Sequence, residues 1–510
     1  MNKIKDTKSL CPECLKILPA EIFERDGKVW IKKECSQHGE FEDLYWGDYQ
    51  MYLKAMNFAH DGKGISNPNV NIENPMCPTA CGLCKMHKSH TALGNIVVTN
   101  RCDLQCFYCF FYAKAMGYVY EPSLEQIRMM LRVMREEKPV ACNAVQLTGG
   151  NPEMREDLIE IIKIAKEEGY DHVQLNINGT HKLQNDLEWA INVKKAGVNT
   201  IYLSFDGTTP QTNPKNHWEI PKIMDNCRKA NLGIVLVPTI INTVNDHDVG
   251  NILRFGIKNT DVVRGVNFQP VSLVGRITKA DRERFRITIP DVIKKIEEQT
   301  NGVVKKEDWY SVPFVSPVTH FFEALTERPR FELTAHPACG MATYLFLDGS
   351  EIVPITRFFD VEGFMKFLDE LALQAKGFRG KVYTSLKILA KLNSFIDKEK
   401  QPKELNLANI LFNILKTGDY KSLGKLHHKS LFIGMMHFQD LYNYDIERVK
   451  RCCIHYAQPD GKIVPFCAFN VIPQWYRDRI QENFSLSIPE WEQKTGKKLE
   501  NDFYKREITK

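Results

Sequence analysis

Cysteine spacing constrains this chain more strongly than any other feature of its sequence. Among 510 residues there are 15 cysteines, and the stretches CPTACGLC and CDLQCFYC each place three of them in the pattern C-x3-C-x2-C. Thiols two or three residues apart suit a metal centre better than a disulfide framework. The odd number of cysteines and the charged N-terminus MNKIKDTKSL, which lacks an apolar signal segment, predict a reducing, cytoplasmic location. The sequence therefore predicts a protein with several metal centres.

Six apolar, strand-like runs alternate with amphipathic helical segments between residues 94 and 275. Strands linked by helices at a spacing of about 30 residues indicate βαβ units in a parallel sheet. Right-handed crossovers curl such a sheet into a full or partial barrel, so we expect an α/β fold. The sequence predicts four regions: a small metal-binding unit (1–50), a connector that carries cysteines (51–93), the barrel (94–275) and a mainly helical C-terminal domain (276–510).

The second cysteine triplet is the better candidate for chemistry. Cys102 comes directly after the first strand of the predicted barrel, so Cys102, Cys106 and Cys109 fall in a loop at the carboxyl end of that strand. Parallel barrels place their active sites at this end. Three thiolates leave one iron of a four-iron cluster without a protein ligand. An aromatic residue, Tyr108, lies inside the motif, and the second strand ends in two glycines, 149 and 150, that let backbone approach a ligand closely.

The first triplet has none of these neighbours. No strand precedes it, it contains no aromatic residue, and no glycine motif follows it. We therefore interpret it as an auxiliary iron–sulfur cluster site, with zinc as the alternative. Its ligands are Cys77, Cys81 and Cys84.

Two further cysteine groups predict two more metal sites. The N-terminal unit carries the knuckles C-x2-C and C-x2-H, which supply four tetrahedral ligands for one iron or zinc ion: Cys11, Cys14, Cys35 and His38. The C-terminal region carries four cysteines that we assign to a further cluster: Cys339, Cys452, Cys453 and Cys467. With the first triplet these make seven cysteines, so one fourth ligand is absent or is another residue type, for which His87 and His455 are nearby options. Cys142 and Cys227 are interpreted as core residues.

The barrel segment resembles the radical S-adenosylmethionine (SAM) family through its C-x3-C-x-aromatic-C motif and the Gly-Gly-x-Pro motif at the end of the second strand. The resemblance implies a partial (β/α)6 barrel in which Cys102, Cys106 and Cys109 hold a [4Fe-4S] cluster whose fourth iron is chelated by SAM. It also implies that reductive cleavage of SAM yields a 5′-deoxyadenosyl radical. Tyr108 would lie near the adenine, and the SAM amino group would meet Gly149, Gly150 and Asn151.

The resemblance is incomplete at one position, because Asn151 stands where many members of the family have glutamate. Polar residues at the other strand ends are candidate SAM ligands, with ordinary turn formation as the alternative. These candidates are Asn176, Asn178, Ser204, Asp206, Asn267 and Gln269.

Over the full chain, the order of a rubredoxin-like knuckle, the two triplets and the C-terminal cysteine pieces is similar to an archaeal radical SAM group that contains tetraether lipid synthase. That similarity implies coupling of the terminal carbons of two phytanyl chains of archaeal lipids, giving tetraether or macrocyclic archaeol. It also implies three [4Fe-4S] clusters, SAM, one mononuclear iron or zinc, and a ferredoxin- or flavodoxin-type electron donor. The substrate would be drawn from a membrane by peripheral contact.

Two other functions are compatible with the sequence. Related archaeal radical SAM sequences have been interpreted as methylases of a pterin precursor, 7,8-dihydropterin, in methanopterin biosynthesis. A non-catalytic iron–sulfur electron-transfer protein is the third hypothesis. A long apolar tunnel beside SAM would favour lipid, and a small polar pocket would favour pterin. The net charge of +5 is not gathered into a basic stripe, so no nucleic-acid partner is expected.

Overall fold

The computed structural model describes residues 2–109, 113–275, 277–375, 377–417 and 430–506. Its N-terminal unit is a four-stranded antiparallel sheet with strands in chain order. Because alternate turns of such a meander lie at the same end, the turn after the first strand and the turn after the third bring the two metal-binding knuckles together. The strands are β1 (Asn2–Leu10), β2 (Ile17–Arg25), β3 (Lys28–Cys35) and β4 (Gly39–Trp46).

The predicted parallel barrel is confirmed. All six predicted strands form, and they lie side by side in chain order with parallel pairing throughout. Two short strands accompany them, and one of these, β11, pairs with β12. In chain order the strands are β5 (Leu93–Thr99), β6 (Tyr118–Tyr120), β7 (Ala144–Gly149), β8 (His172–Ile177), β9 (Thr200–Ser204), β10 (Gly233–Val237), β11 (Thr239–Ile240) and β12 (Val263–Pro270).

A helix lies between each pair of consecutive barrel strands. The helix between β5 and β7 shows why: it begins at a capping box formed by Ser123 and Gln126, and its buried residues recur three and four positions apart from Ile127 to Met134. The helices up to residue 299 are α1 (Tyr49–Met56), α2 (Ala113–Met116), α3 (Leu124–Arg135), α4 (Leu158–Glu167), α5 (Leu187–Ala196), α6 (Ile220–Lys229), α7 (Val249–Lys258), α8 (Arg282–Phe285) and α9 (Ile289–Gln299).

The C-terminal region extends the barrel sheet at both edges. At one edge β16 pairs parallel to β12 and antiparallel to β14, and at the other edge β17 pairs parallel to β5. This region is therefore not only helical, and it encloses the barrel from two sides. Its strands are β13 (Tyr310–Ser311), β14 (Gly340–Asp348), β15 (Glu351–Pro354), β16 (Ser430–Met436), β17 (Ile454–Ala457), β18 (Ile463–Pro465) and β19 (Ser485–Ser487).

The apolar helices of the C-terminal region pack against one another. Phe321, Phe364 and Leu368 are at most 3% exposed and belong to one aromatic-rich core that includes residues of four of these helices. Among the described residues, none of the helices is both long and apolar enough to span a membrane. The helices are α10 (Ser316–Thr326), α11 (Val361–Gln374), α12 (Gly377–Lys391), α13 (Leu407–Thr417), α14 (Ile446–Lys450), α15 (Phe466–Val471), α16 (Arg477–Glu482) and α17 (Ile488–Thr495).

A buried ion-pair cluster fastens the N-terminal sheet to the rest of the molecule. The guanidinium of Arg286 donates to Asp43 at 3.0 Å through two nitrogens and to Asp440 at 2.5 and 3.1 Å. The three side chains are at most 8% exposed, and they come from β4, from the segment after α8 and from the segment before α14. Since removing one partner leaves an uncompensated buried charge, this cluster is sensitive to substitution.

Replacing Arg286 with methionine tests that junction. The substitution leaves the carboxylates of Asp43 and Asp440 buried without their shared cation, so we expect a loss of about 3–5 kcal/mol of stability and a lower thermal unfolding midpoint. Arg284→Met is the matched control, because Arg284 lies on α8 with a side chain that is 61% exposed. Equal unfolding midpoints for the two variants would contradict the assigned role of Arg286.

Candidate active site

The three cysteines of the second triplet lie in the loop that follows β5, at the carboxyl end of the barrel. Two backbone hydrogen bonds hold this loop to the end of β7: Gly150 N donates to Thr99 O at 2.8 Å, and Asn151 N donates to Arg101 O at 2.7 Å. The end of β7 therefore sets the position of the cysteine loop.

The glycine pair permits this close approach. Gly149 has φ +145°, and a Cβ at that position would lie 1.9 Å from Thr99 O. A Cβ at Gly150 would lie 2.1 Å from Arg101 O. Any side chain at either position would push the cysteine loop away, so both glycines have a packing role in addition to the predicted contact with SAM.

A cavity of about 260 Å³ lies between the cysteine loop and the ends of the barrel strands. It is lined by all three cysteines of the triplet, by Tyr108, and by side chains from each of the six barrel strands. The structure thus brings together most of the residues predicted from the sequence. Predicted residues that line the cavity are Cys102, Cys106, Tyr108, Cys109, Gly149, Gly150, Asn176, Asn178, Ser204, Asn267 and Gln269.

Asn151 lies behind the cavity and is fully buried. Its amide nitrogen lies 3.0 Å from Asp103 Oδ1, 3.0 Å from Asn178 Oδ1 and 3.1 Å from Glu153 Oε2. Burial raises the pKa of Glu153 to about 7. The amide that replaces glutamate at position 151 thus serves as a donor to neighbouring oxygen atoms.

Asp103 is the centre of that network. Its carboxylate is 3% exposed and accepts hydrogen bonds from Asn151, from Asn178 at 2.8 Å and from the hydroxyl of Thr180. Because Asp103 is adjacent to Cys102, the network ties the cysteine loop to the ends of β7 and β8. Asp103 was not predicted, because the spacing of the cysteines does not specify which residue type lies between them.

A second polar group holds the aromatic residue of the motif. The hydroxyl of Tyr108 donates to Asp206, and the ammonium of Lys215 lies 3.0 Å from the Tyr108 oxygen and 2.7 Å from Asp206. Lys215 also donates to Ser204. Asp206, predicted as a SAM ligand, does not line the cavity. Its carboxylate instead accepts the hydrogen bond of Tyr108 and orients that ring from outside the cavity. Burial, followed by the charge of Asp206, raises the pKa of Tyr108 well above its usual value, so the phenol stays protonated. Lys215 was not predicted, because no motif marks it.

Carboxamides form a ladder across the inner face of the barrel. Gln174 Nε2 donates to Gln146 Oε1 at 2.7 Å, and Gln146 Nε2 donates to Asn95 Oδ1 at 2.8 Å. Asn95 and Gln146 line the cavity, whereas Gln174 does not. Each is the third residue of its strand and so lies deeper in the barrel than the strand ends. These three residues were not predicted, because only polar residues at strand ends were candidates.

The N-terminal knuckles have the geometry of a mononuclear metal site. The sulfur of Cys14 lies 3.9 Å from that of Cys35, and His38 Nδ1 lies 3.6 Å from Cys11 Sγ and 3.5 Å from Cys35 Sγ. A tetrahedral ion with metal–sulfur bonds of about 2.3 Å requires ligand separations of this size. The N–H of Gln37 and the ring of His38 lower the pKa of Cys35 to about 6, which favours a thiolate ligand. The four residues fit one metal ion.

The remaining predicted ligands gather near the opposite end of β5. Cys452 and Cys453 come just before β17, and the carbonyl of Cys453 accepts hydrogen bonds from Ala92 N and Leu93 N at 2.9 and 3.2 Å. Burial and then the neighbouring thiols of Cys467 and Cys453 raise the pKa of Cys452, with a smaller effect of Cys339. The structure therefore brings together C-terminal cysteines that are more than 100 residues apart in the sequence.

The first triplet adjoins this group. Burial and then the thiols of Cys77 and Cys84 raise the pKa of Cys81, and Cys452 contributes as well. In the described part of the chain, the groups of three or more metal-ligating atoms within 4.8 Å of one another do not include any of these cysteines. These cysteines therefore do not have the close spacing that the four ligands at the N-terminal knuckles have.

Two histidines considered as a fourth ligand have other contacts. His87 Nε2 lies 2.7 Å from the carbonyl oxygen of Cys452 and 3.1 Å from His455 Nε2. His455 Nδ1 lies 2.8 Å from the hydroxyl of Thr91. Burial lowers the pKa of His87 to about 4, so the ring is neutral. Cys142 and Cys227 are fully buried in the main hydrophobic core.

The active-site residues fit a cluster that binds SAM. Three cysteines line one cavity, which leaves open space beside them for a ligand on the fourth iron. Carboxamides, hydroxyls and glycine backbone border that space, and these groups match the amino, carboxylate and ribose groups of SAM.

Comparison with known proteins supports this interpretation. The family profile described as Radical SAM superfamily matches residues 96–256, and the profile described as HMPTM N-terminal zinc ribbon domain matches residues 3–47. The chain is 46% identical over 497 residues to "7,8-dihydro-6-hydroxymethylpterin dimethyltransferase" of Methanocaldococcus jannaschii, covering 96% of this chain and 97% of that protein.

Other similarities are partial. A "GTP 3',8-cyclase" of Clostridium acetobutylicum is 28% identical over 205 residues, which cover 39% of this chain and 61% of that protein. The crystal structure of Streptococcus suis SuiB covers 42% of this chain and 47% of its own, with a TM-score of 0.34 and 15% identity.

The prediction of lipid coupling is wrong. The relative that matches nearly the whole chain carries the name of a pterin methyltransferase, and no part of that name refers to lipid. The structure removes the observation on which that prediction depended, because the apolar helices that suggested a hydrocarbon channel bury their aromatic side chains in a core of their own. The predicted lipid partner is therefore wrong as well. The predicted membrane contact depended on that partner alone.

The match to one relative over almost the full length of both proteins, together with the two family profiles, establishes the assignment. The chain belongs to the radical SAM superfamily, carries an N-terminal zinc ribbon, and aligns over almost the full length of both proteins with the Methanocaldococcus protein.

Proposed function

We propose that this protein is a radical SAM methyltransferase that acts on 7,8-dihydro-6-hydroxymethylpterin, as the name of its Methanocaldococcus relative states for that protein. The observation that carries the proposal is the cavity at the triplet of Cys102. Its volume is about 260 Å³, and amide and hydroxyl side chains line it together with apolar and aromatic ones. A pterin presents the same kinds of group along the edge of a flat ring.

The residues that line the cavity suit a planar heterocycle. Asn95 and Gln146 provide carboxamides that match the amide edge of a pterin, which both donates and accepts hydrogen bonds. Phe438, Tyr456 and Phe466 provide aromatic faces, and the rings of Phe438 and Phe466 stack with centroids 3.8 Å apart. Aromatic faces favour stacking on a flat ligand. The cavity thus offers a polar edge and an aromatic wall for one ring system.

The residues around the cysteine triplet would hold the cofactors. Cys102, Cys106 and Cys109 would ligate a [4Fe-4S] cluster, and with SAM bound this cluster supplies a 5′-deoxyadenosyl radical. Tyr108, held by Asp206 and Lys215, would lie against the adenine. Backbone at the glycine motif and the side chains at the strand ends would bind the rest of SAM, as proposed from the sequence for Gly149, Gly150, Asn176, Asn178, Ser204, Asn267 and Gln269; Asn151, behind the cavity, would support them from outside it.

Two auxiliary [4Fe-4S] clusters complete the proposed cofactor set. One would be held by Cys77, Cys81 and Cys84, and the other by the four C-terminal cysteines. The N-terminal ribbon would hold one zinc or iron ion. A reducing cytoplasm, with a ferredoxin- or flavodoxin-type donor, is the setting that these thiolate ligands and the low potential of SAM cleavage require.

Methylation of the pterin is the direct test. The cluster-loaded protein is incubated without oxygen with a low-potential reductant, SAM and 7,8-dihydro-6-hydroxymethylpterin, and the products are analysed by mass spectrometry. We expect pterin products heavier by one and by two methyl groups, together with 5′-deoxyadenosine. SAM labelled in its methyl group shows whether SAM supplies the carbon.

Two cysteine variants control this assay. Cys102→Ser should abolish 5′-deoxyadenosine formation, whereas Cys142→Ser should retain it because Cys142 is a buried core residue. Formation of 5′-deoxyadenosine without any methylated pterin would overturn the substrate. Absence of SAM cleavage in the wild-type protein would indicate a non-catalytic electron-transfer role.

Gln146→Met tests the polar edge of the cavity. Methionine has a similar length but cannot hydrogen-bond to the pterin, so we expect the KM for the pterin to rise about tenfold, the equivalent of one lost hydrogen bond. SAM cleavage in the absence of pterin should be unchanged. Gln174→Met is the matched control, because it breaks the same ladder outside the cavity. Equal KM values in the two variants would contradict a direct contact with Gln146.

A further inference from the structure

Three side chains from distant parts of the chain meet outside the cysteine centres. His60 lies in the connector after α1, His320 lies on α10, and Glu332 lies in the segment that follows α10. One ligand atom from each lies within 4.8 Å of the others. His320 Nε2 is 3.0 Å from Glu332 Oε1, and the side chain of Glu332 is only 6% exposed. Two imidazoles and a buried carboxylate therefore converge on one point.

Both histidines are oriented as metal ligands are. His60 Nδ1 lies 3.2 Å from the carbonyl oxygen of Phe58, and His320 Nδ1 lies 3.2 Å from Asp369 Oδ1. A ligating histidine typically donates its second ring N–H to a carbonyl or a carboxylate, which fixes the tautomer and leaves the other nitrogen for the metal. In both residues the nitrogen that remains is Nε2, and in His320 this nitrogen faces Glu332.

An ion pair between His320 and Glu332 does not explain this arrangement. It accounts for two of the three residues but leaves His60 Nε2 buried with no hydrogen-bond partner in the described part of the chain. A buried polar nitrogen without a partner costs about 1–3 kcal/mol, so such atoms in native proteins call for a missing partner. Because a ligand atom of the His60 ring lies within 4.8 Å of Glu332 and His320, an ion bound by all three side chains would supply that partner.

Further contacts hold the carboxylate in place. The N–H of Glu332 donates to Nε2 of the fully buried His90 at 3.0 Å, which fixes the backbone at the ligand. Asp369, on α11, is the second carboxylate of the neighbourhood and orients His320. The site thus links the connector, α10 and α11.

We propose that His60, His320 and Glu332 bind one divalent first-row transition-metal ion. Two histidines and one carboxylate form a donor set used by zinc and by non-haem iron, with at least one coordination position left open. This centre is separate from the sulfur-ligated sites and contains no thiolate. It fastens the connector that carries Cys77, Cys81 and Cys84 to the helical part of the C-terminal region.

Zinc counting tests the site in the full-length, cluster-loaded protein. The protein is incubated with excess zinc ion, freed of loosely bound metal by gel filtration, and its zinc content per chain is measured by elemental analysis. We expect the wild-type protein to hold one equivalent more zinc than His60→Gln or Glu332→Gln. Chelation should lower the thermal unfolding midpoint of the wild type by a few degrees more than that of either variant.

Two controls make the result decisive. Glu323→Gln removes a carboxylate of α10 that pairs with Lys63 outside the site, and it should leave the zinc content unchanged. Cys14→Ser should remove the zinc or iron ion bound at the N-terminal ribbon and leave the ion at the His60 site in place. Equal zinc content in wild type, His60→Gln and Glu332→Gln would overturn the proposal. If His60→Gln does not fold, the isosteric Glu332→Gln decides the question alone, since its shape matches the native side chain.

Discussion

The buried carboxylate of Asp103 is the interaction on which the active site depends. It lies next to Cys102 and accepts hydrogen bonds from Asn151, Asn178 and Thr180, so one side chain joins the cysteine loop to the ends of two barrel strands. A loop with three thiols has little backbone structure of its own. Its shape is determined by this carboxylate on one side and by the glycine pair at the end of β7 on the other.

The parts of the fold that local pattern determines could be predicted from the sequence. The six barrel strands are short apolar runs between amphipathic helices, and each formed where it was predicted. The pairing of β16 with β12 and of β17 with β5 could not be predicted, because it joins segments far apart in sequence, and β17 has only four residues. The ligands of the His60 centre come from three separate segments with no motif spacing, so they were missed for the same reason.

The apolar composition of the C-terminal helices was not sufficient evidence for a lipid substrate. Residues such as Phe321, Phe364 and Leu368 are equally apolar whether they line a tunnel or fill a core, and the sequence does not distinguish the two. In the proposed function the groups that would recognise the substrate are Asn95 and Gln146, carboxamides inside mainly apolar strands. A parallel strand buried on both faces normally contains only apolar residues. A carboxamide inside such a strand needs a polar partner, and Asn95 and Gln146 have each other as well as the cavity that both line.

Strand β5 has one group of cysteines at each end: Cys452 and Cys453 near its first residue, and the triplet of Cys102 after its last. Its first residue, Leu93, is hydrogen-bonded to Cys453, and its last residue leads into the loop of Cys102. Seven residues of strand span about 20 Å. The cavity is lined by Leu93 and Ile454 as well as by Cys102 and Cys109, so it runs along the strand from one cysteine group toward the other. In the proposed function, a ligand in this cavity would lie between the cluster at Cys102 and the proposed auxiliary clusters, which would give an electron a short path between the ligand and either centre. Because β17 pairs with β5 and the carbonyl of Cys453 accepts a hydrogen bond from Leu93 N, Cys452 and Cys453 lie directly beside the start of a barrel strand.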